Sequence, residues 1–256
     1  MGQNFMVSDP ELCFIAEALG PREGETVLEI GPGLGFLTRA LLEKGARVIG
    51  VEVDRLLAKH LREYFKDKPL TVIEKDILEL NIKKDLAVQK PIWVAGNIPY
   101  NITSPILEWL ISQRHLVSGA VLTIQWEVAQ RMASTPGTKS WGPLSIFVQV
   151  YSKIEILRKI SKASFFPAPK VDSAVARLSL SREPLLPIKD EENFFAVVRR
   201  SFQKRRKTIL NSLLDKDSEP FSRESLTKAL GEAAINPIRR PETLTIPEWI
   251  KLTGLL

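Results

Sequence analysis

One cysteine and two histidines are all the soft metal ligands among these 256 residues. Cys13 alone cannot close an intrachain disulfide. His60 and His115 stand far apart, so a structural zinc cluster, which takes about four Cys or His ligands at short spacing, is excluded and no metal is expected. Long apolar runs are missing as well. None approaches the roughly 20 residues that a membrane-spanning helix needs. The N-terminus, "MGQNFMVSDP", has neither a basic region nor an apolar signal core. It begins Met-Gly, but Met6 stands where myristoylation requires Ser or Thr. These absences read as a cytoplasmic protein with no membrane partner. Internal repeats and low-complexity tracts are also lacking, and the chain is read as a monomer.

What is present is ordinary for a globular chain: 44% hydrophobic and 26% charged residues, enough to bury a sizeable core. At roughly 150 residues per domain the length suits two domains. Cys13, in "ELCFIAEAL", occupies an apolar helical position and reads as a small core residue. The net charge of +6 is by itself a weak pointer to a polyanionic partner. Its placement matters more.

From Thr26 onward, short apolar runs alternate with helical patterns. "TVLEIG", "RVIGVEV", "LTVIEKD", "PIWVAGNI" and "GAVLTIQ" read as strands, and "GFLTRALLEKG", "RLLAKHLREYF" and "SPILEWLISQ" as helices. That alternation predicts an α/β fold with a parallel sheet covered on both faces, in which ligands bind beyond the carboxyl ends of the strands. After Gly142, "PLSIFVQVYS" reads as a helix. "KIEILRKI" and "SAVARLSL" follow as an antiparallel pair joined by the loop "SKASFFPAPKVD". "SREPLLPIKDEEN" is a linker, which sets a domain boundary near Arg182: residues 1–182, then 183–256. The second domain reads as all-helical. "FFAVVRRSFQKRRKTILNSLL" is expected to be one helix, "SRESLTKAL" a second with Ser222 as N-cap, and "TIPEWIKL" a third with a capping box from Thr245 to Glu248.

The chemistry gathers at the strand ends. In "LEIGPGLGFLT", Gly31, Gly33 and Gly35 allow a tight turn and close approach of a ligand, as nucleotide-binding turns at helix starts do. Glycines alone are weak evidence, since tight helix–strand packing uses them too. Glu29, just before them, would repel a phosphate but not a cation. An acidic residue about twenty positions past the glycines can hold both ribose hydroxyls, and Glu52 fits, with Asp54 capping the next helix. Asp76, in "EKDIL", can accept from an adenine amine while Ile77 packs on the ring. Each acid taken singly is as readily a cap or a solvated group. Together they describe an adenosine site without phosphates beside a cationic group. S-adenosylmethionine, leaving as S-adenosylhomocysteine, fits; NAD would set its pyrophosphate against Glu29.

"GNIPYN" ends the fourth strand beside that site. An isolated Asn-x-Pro-Tyr is equally a turn with a packed tyrosine, but next to a methyl-donor site it suits methylation of a nucleobase amine. The adenine amine is a poor nucleophile and needs orientation and charge stabilisation more than a base. The Asn97 oxygen can accept one N–H, and a backbone carbonyl held rigid by Pro99 another. Tyr100 offers a ring face to a base turned out of its helix. In the second domain, Arg199, Arg200, Lys204, Arg205, Arg206 and Lys207 crowd one acid-free stretch. On a single helix, Val198, Phe202, Ile209 and Leu213 would pack inward and the cations outward, toward RNA. A merely solvated face is the plainer alternative.

The motifs "GQNFMVSD", "EIGPGLGFLT", "VEVD", "KDIL", "GNIPYNITSPIL" and "FFPAPKVDSAV" occur in an order that resembles the KsgA family of ribosomal RNA adenine dimethyltransferases. "RRSFQKRRKTILNSLL" and "RRPETLTIPEW" resemble that family's C-terminal domain, so the likeness runs nearly end to end. It implies a Rossmann-like methyltransferase domain followed by a small helical RNA-binding domain. It also implies dimethylation of two adjacent adenines near the 3′ end of 16S rRNA, and a role in small-subunit assembly. By matching motif, Asn4, Met6, Gly31, Glu52, Asp76 and Asn97 are implied at the cofactor, and Phe165 and Phe166 over the target base. The family usually has leucine at the position of Met6, a volume-conserving change. It also usually carries a basic stretch before "GQNF" that is missing here. Competing readings are a resistance-type methyltransferase of 23S rRNA, a DNA adenine methyltransferase, which typically has two prolines before the tyrosine, and a non-catalytic ribosome- or DNA-binding factor.

Overall fold

The apolar runs become strands because the sheet they enter is covered on both faces, which selects near-continuous hydrophobic segments over alternating ones. A computed structural model describes residues 4–86, 88, 90–204, 206–214 and 221–256. Among these, the strands in chain order are β1 (Phe5–Met6), β2 (Thr26–Ile30), β3 (Arg47–Glu52), β4 (Leu70–Glu74), β5 (Ile92–Asn97), β6 (Val117–Gln125), β7 (Ser152–Ile160), β8 (Phe165–Phe166) and β9 (Ser173–Leu180). The large sheet has the order β4-β3-β2-β5-β6-β9-β7. β4 through β6 pair in parallel, and β9 then runs antiparallel to both β6 and β7. The α/β class and the antiparallel final pair are as the sequence pattern leads one to expect. Strand order reverses between β2 and β5, so a crevice opens beyond their carboxyl ends.

The core against the helix Asp9–Leu19 joins Leu12, Ile15, Ala16 and Leu19 to Val27, Val121, Val175 and Phe165. Burying each large aliphatic side chain there contributes roughly 1.5–3 kcal/mol. Cys13 is not part of it. It is exposed, contrary to its reading as a core residue, because a helix turns about 100° per residue and the buried stripe runs through Leu12, Ile15, Ala16 and Leu19. β1 and β8, unforeseen as strands, form a separate antiparallel pair with Met6 opposite Phe165 and Phe5 opposite Phe166.

The chain divides into two compact units, Met1–Ala129 with Ser152–Arg182, and Gln130–Tyr151 with Glu183–Leu256. A boundary near Arg182 alone therefore misplaces the segment Gln130–Tyr151. Its helix, Pro143–Tyr151, sets Phe147 and Tyr151 against Phe195, at ring separations of 5.2 and 6.1 Å. Trp141 Nε1 donates to the Leu244 carbonyl at 3.1 Å. An apolar helix face does not announce in sequence which partner it will cover.

The expected long helix of the second unit is two helices, Glu191–Ser201 and Ile209–Leu213. Asp190 caps the first and Thr208 the second. Arg199 and Arg200 occupy the last turn of the first helix, where cations suit the carbonyl end of the dipole. Continuing the helix would stack like charges at i, i+4, as with Arg200 and Lys204, which is unfavourable. Val198, Ile209 and Leu213 are buried, but on two helices instead of one face. Ser222 caps the helix Arg223–Glu232, and Thr245 and Glu248 form the expected capping box. Among the described residues, no helix is long and apolar enough to cross a membrane. Nor do these residues hold a group of three or more His, Cys, Asp or Glu suited to a metal ion.

Candidate active site

The glycine turn links β2 to the helix Phe36–Glu43. Gly35 caps that helix at φ +83°, and a Cβ on it would lie 2.5 Å from Phe65 Cε2 and 2.9 Å from Leu61 Cδ2. This glycine answers to packing. Gly31 is different: φ is +62°, yet a Cβ would meet nothing within 4 Å, so open space lies in front of it. Glu52, buried at the end of β3, ties the turn down. Its Oε2 accepts from the Gly33 amide at 2.9 Å and its Oε1 from the Asp54 amide at 3.0 Å. Gly33 thus acts through its N–H on Glu52. Asp54 caps the helix Arg55–Tyr64 through the amides of Leu56 and Leu57.

A cleft of ≈ 280 Å³ lies over these strand ends, lined by Gly31, Val51, Glu52, Asp76, Ile77 and Pro99 among others. Ile77 is buried and Asp76 exposed. One Asp76 oxygen accepts from the Leu78 amide at 2.9 Å, which fixes the carboxylate at the rim. Lys75 also borders the cleft, with its ammonium 2.7 Å from Asp85 Oδ2. The lining is an apolar floor with three carboxylates, Glu52, Asp54 and Asp76, each held by backbone amides, and one paired cation, which suits a nucleoside and offers little to a phosphate.

A second, smaller cavity of ≈ 40 Å³ adjoins it at Gly31 and Pro99 and is lined by Asn4, Met6, Glu29, Asn97, Tyr100 and Phe165 among others. Asn97, the last residue of β5, donates its Nδ2 to the Asn4 carbonyl at 2.8 Å. That leaves the amide oxygen to accept. The Ile98 amide donates to the Thr123 carbonyl at 2.9 Å, and Pro99 restricts the Ile98 backbone further. The Tyr100 hydroxyl lies 2.6 Å from Ser173 Oγ. Burial raises the Tyr100 pKa, the Ser173 bond opposes that, and nearby Asp172 adds to it. Ser173 carries no signal in the sequence: it lies on β9 and reaches Tyr100 only through the strand order.

The remaining candidates separate. Met6 and Phe165 are buried in the core cluster and border the small cavity. Phe166, the next residue along β8, is 72% exposed. Arg199, Lys204 and Arg206 are exposed, Arg200 and Lys207 half-buried, and Arg205 lies outside the described residues. Arg200 stands over the Phe221 ring, 5.8 Å from its centroid.

The sequence model of the family described as "Ribosomal RNA adenine dimethylase" matches residues 1–252. The chain belongs to that family. Among curated relatives of this dimethylase, the "Ribosomal RNA small subunit methyltransferase A" of Clostridium botulinum (strain Okra / Type B1) is 40% identical over 257 residues, spanning 100% of this chain and 92% of the relative. The protein of the same name from Anoxybacillus flavithermus (strain DSM 21510 / WK1) is 39% identical over 265 residues, spanning 100% and 89%. Among solved structures, "23S rRNA methyltransferase ErmE" superposes with a TM-score of 0.73 and 31% identity, covering 98% of this chain and 99% of that one. A dimethyladenosine transferase from Plasmodium falciparum superposes with a TM-score of 0.79 and 26% identity, covering 97% and 96%. The methyltransferase fold and the family resemblance read from the ordered motifs are both borne out.

Proposed function

We propose that this dimethylase uses S-adenosylmethionine to methylate the N6 amines of two adjacent adenines near the 3′ end of 16S rRNA, as a step in small-subunit assembly. The observation that carries this is the Asn97 amide, pinned by Asn4 and bordering the small cavity that adjoins the larger cleft at Gly31 and Pro99. The residues fit the cofactor. The larger cleft has a nucleoside's requirements: the Ile77 floor, Asp76 at the rim and Glu52 at ribose position. Gly31 leaves room where a chain must pass toward Asn97.

When bound, S-adenosylmethionine supplies an electrophilic methyl group on a sulfonium. The chain's own part is orientation. The Asn97 oxygen accepts one N–H of the target amine, and a backbone carbonyl beside Pro99 accepts the other. These bonds draw the nitrogen toward sp³ geometry and stabilise the positive charge that develops on it. Tyr100 stacks on the extruded base, its ring held by Ser173. Exposed Phe166 is assigned the same role, and Phe165 borders the small cavity. Arg199, Arg200, Lys204, Arg205, Arg206 and Lys207 are assigned to phosphate contacts.

The small-subunit name of the 40% and 39% identical relatives supports the 16S assignment. The likeness to ErmE makes large-subunit rRNA the comparison to run. Incubation with labelled S-adenosylmethionine and each purified subunit in turn, followed by mapping of labelled bases, is expected to place dimethyladenine in small-subunit rRNA alone. Label confined to the large subunit would overturn the assignment.

A further inference from the structure

Glu29 is 1% exposed, near the end of β2 just before the glycine turn; a carboxylate there counts against a phosphate, and the transfer roles above give it no part. Its Oε2 accepts from Thr38 Oγ1 at 2.6 Å. The groups around it are few. β3 contributes Glu52, already bonded to two backbone amides. The helix Phe36–Glu43 contributes Thr38, while its Arg39 turns outward to Asp9 at 2.5 Å, both of them exposed. The end of β5 contributes Asn97 and the turn after it Tyr100, and β1 and β8 contribute Met6 and Phe165. Among the described residues, no Lys, Arg or His lines the small cavity that Glu29 borders. A carboxylate sealed beside a second carboxylate, with no cation, is costly to ionise. Burial, with the Glu52 charge adding and the Thr38 bond opposing, pushes its pKa up to about 8.

The same small cavity is bordered by Asn97, where the methyl group must be delivered. A sulfonium at the transfer point would therefore lie in the cavity that Glu29 borders. Resting on the methyl-donor reading above, we propose that Glu29 is the counter-charge for the donor's sulfonium, losing a proton to solvent when the donor binds and regaining one after transfer. In the transfer, the S–CH₃ bond breaks with its electron pair left on sulfur, the N–CH₃ bond forms, and the ammonium sheds its proton to solvent. Sulfur is then an uncharged thioether, nothing holds Glu29 ionised, and it takes up a proton from solvent. The site thereby favours the sulfonium donor over its thioether product, with a preference that grows as pH rises toward the carboxyl's own pKa.

Titration calorimetry of the full chain with S-adenosylmethionine and, separately, S-adenosylhomocysteine tests this. Between about pH 5.5 and 7 the α-ammonium of either ligand stays protonated. In buffers of differing ionisation enthalpy, the donor should release close to one proton more than the product does. The donor-to-product affinity ratio should climb by up to about tenfold per pH unit. Glu29→Gln should flatten that ratio and weaken donor binding selectively. Thr38→Val, which removes the hydroxyl donor to the carboxylate and leaves the Thr38 backbone amide, should shift the rise to higher pH and serves if the first variant does not fold. Equal proton counts for the two ligands, or a Glu29→Gln variant that keeps the pH slope, would overturn the inference while leaving the donor site intact. Failure of folded wild-type protein to bind either ligand would remove the donor reading and this inference with it.

Discussion

Asn97 Nδ2 donates to the Asn4 backbone carbonyl at 2.8 Å, joining residues 93 positions apart. Only the short strand β1, held opposite β8, brings that carbonyl to the end of β5. The bond sets which way the amide faces. Asn97→Ala should therefore lower turnover far more than it weakens RNA binding, the mark of an interaction made in the transition state. Asn97→Asp is a sharper probe, since a carboxylate has no proton to give the Asn4 carbonyl and should be turned away or protonated. Single-turnover rates close to wild type for either variant would remove Asn97 from the transfer point.

Glu52 accepts from two backbone amides, those of Gly33 and Asp54. Its loss should loosen the glycine turn as well as remove acceptors for ribose. A hydrogen bond to a charged group is worth about 1.5–3 kcal/mol, so Glu52→Ala should weaken S-adenosylmethionine binding at least tenfold to a hundredfold, to order of magnitude. Calorimetry checks the affinity, and circular dichroism checks that the fold survives. Unchanged affinity would take Glu52 out of the site.

The Tyr100 hydroxyl is already spent on Ser173 at 2.6 Å, and its raised pKa makes it a poorer general acid. The ring face is then the working part, and base–aromatic stacking is worth about 1–3 kcal/mol. Tyr100→Phe and Ser173→Ala should each cost a small, similar amount, near the ~1 kcal/mol of one hydrogen bond. Tyr100→Ala should lose much more, with the second methylation suffering at least as much as the first. Mass spectrometry of mono- and dimethyladenosine after a timed reaction separates these. A phenylalanine variant as damaged as the alanine one would put the chemistry on the hydroxyl.

Arg199, Lys204 and Arg206 are the exposed members of the basic stretch. If they meet phosphates, each contact removed should reduce the magnitude of the salt slope of RNA binding by roughly 0.7–0.9. Replacing all three with Gln should flatten the slope and leave S-adenosylmethionine affinity alone. An unaltered slope would place the RNA surface elsewhere.

Glu248 accepts from Arg239 and from the Thr245 amide and hydroxyl, and these partners, Arg239 foremost, hold its pKa down to about 2 from 4.5. A carboxyl depressed on folding stabilises the native state above its unfolded pKa, and that contribution disappears as pH falls through the folded one. The melting temperature of wild type should therefore exceed that of Glu248→Gln most clearly above pH 4.5, and the gap should close toward pH 2. A gap independent of pH would mean that shape, not charge, is what the glutamate supplies.

Local rules wrote much of this molecule into its sequence. Strand and helix periods, the positive-φ glycines of the turn, and the caps at Asp54, Ser222 and Thr245 depend on neighbours a few residues away, so they are legible one segment at a time. The order of motifs sufficed to indicate the family. Tertiary structure decided whatever depends on residues distant in sequence. Phe165 goes into the core and Phe166 outward because their strand faces β1 in one register. Tyr100 meets Ser173 because β9 runs antiparallel to β6 and starts beside the end of that strand, and Asn97 meets Asn4 because β1 is held against β8. The segment Gln130–Tyr151 joins the helical unit because its aromatic face finds Phe195 there. The basic stretch breaks into two helices because Thr208 starts a new one, a choice that amphipathic spacing alone could not reveal. In each case the deciding energy is burial or a hydrogen bond between groups that only the folded chain brings within reach.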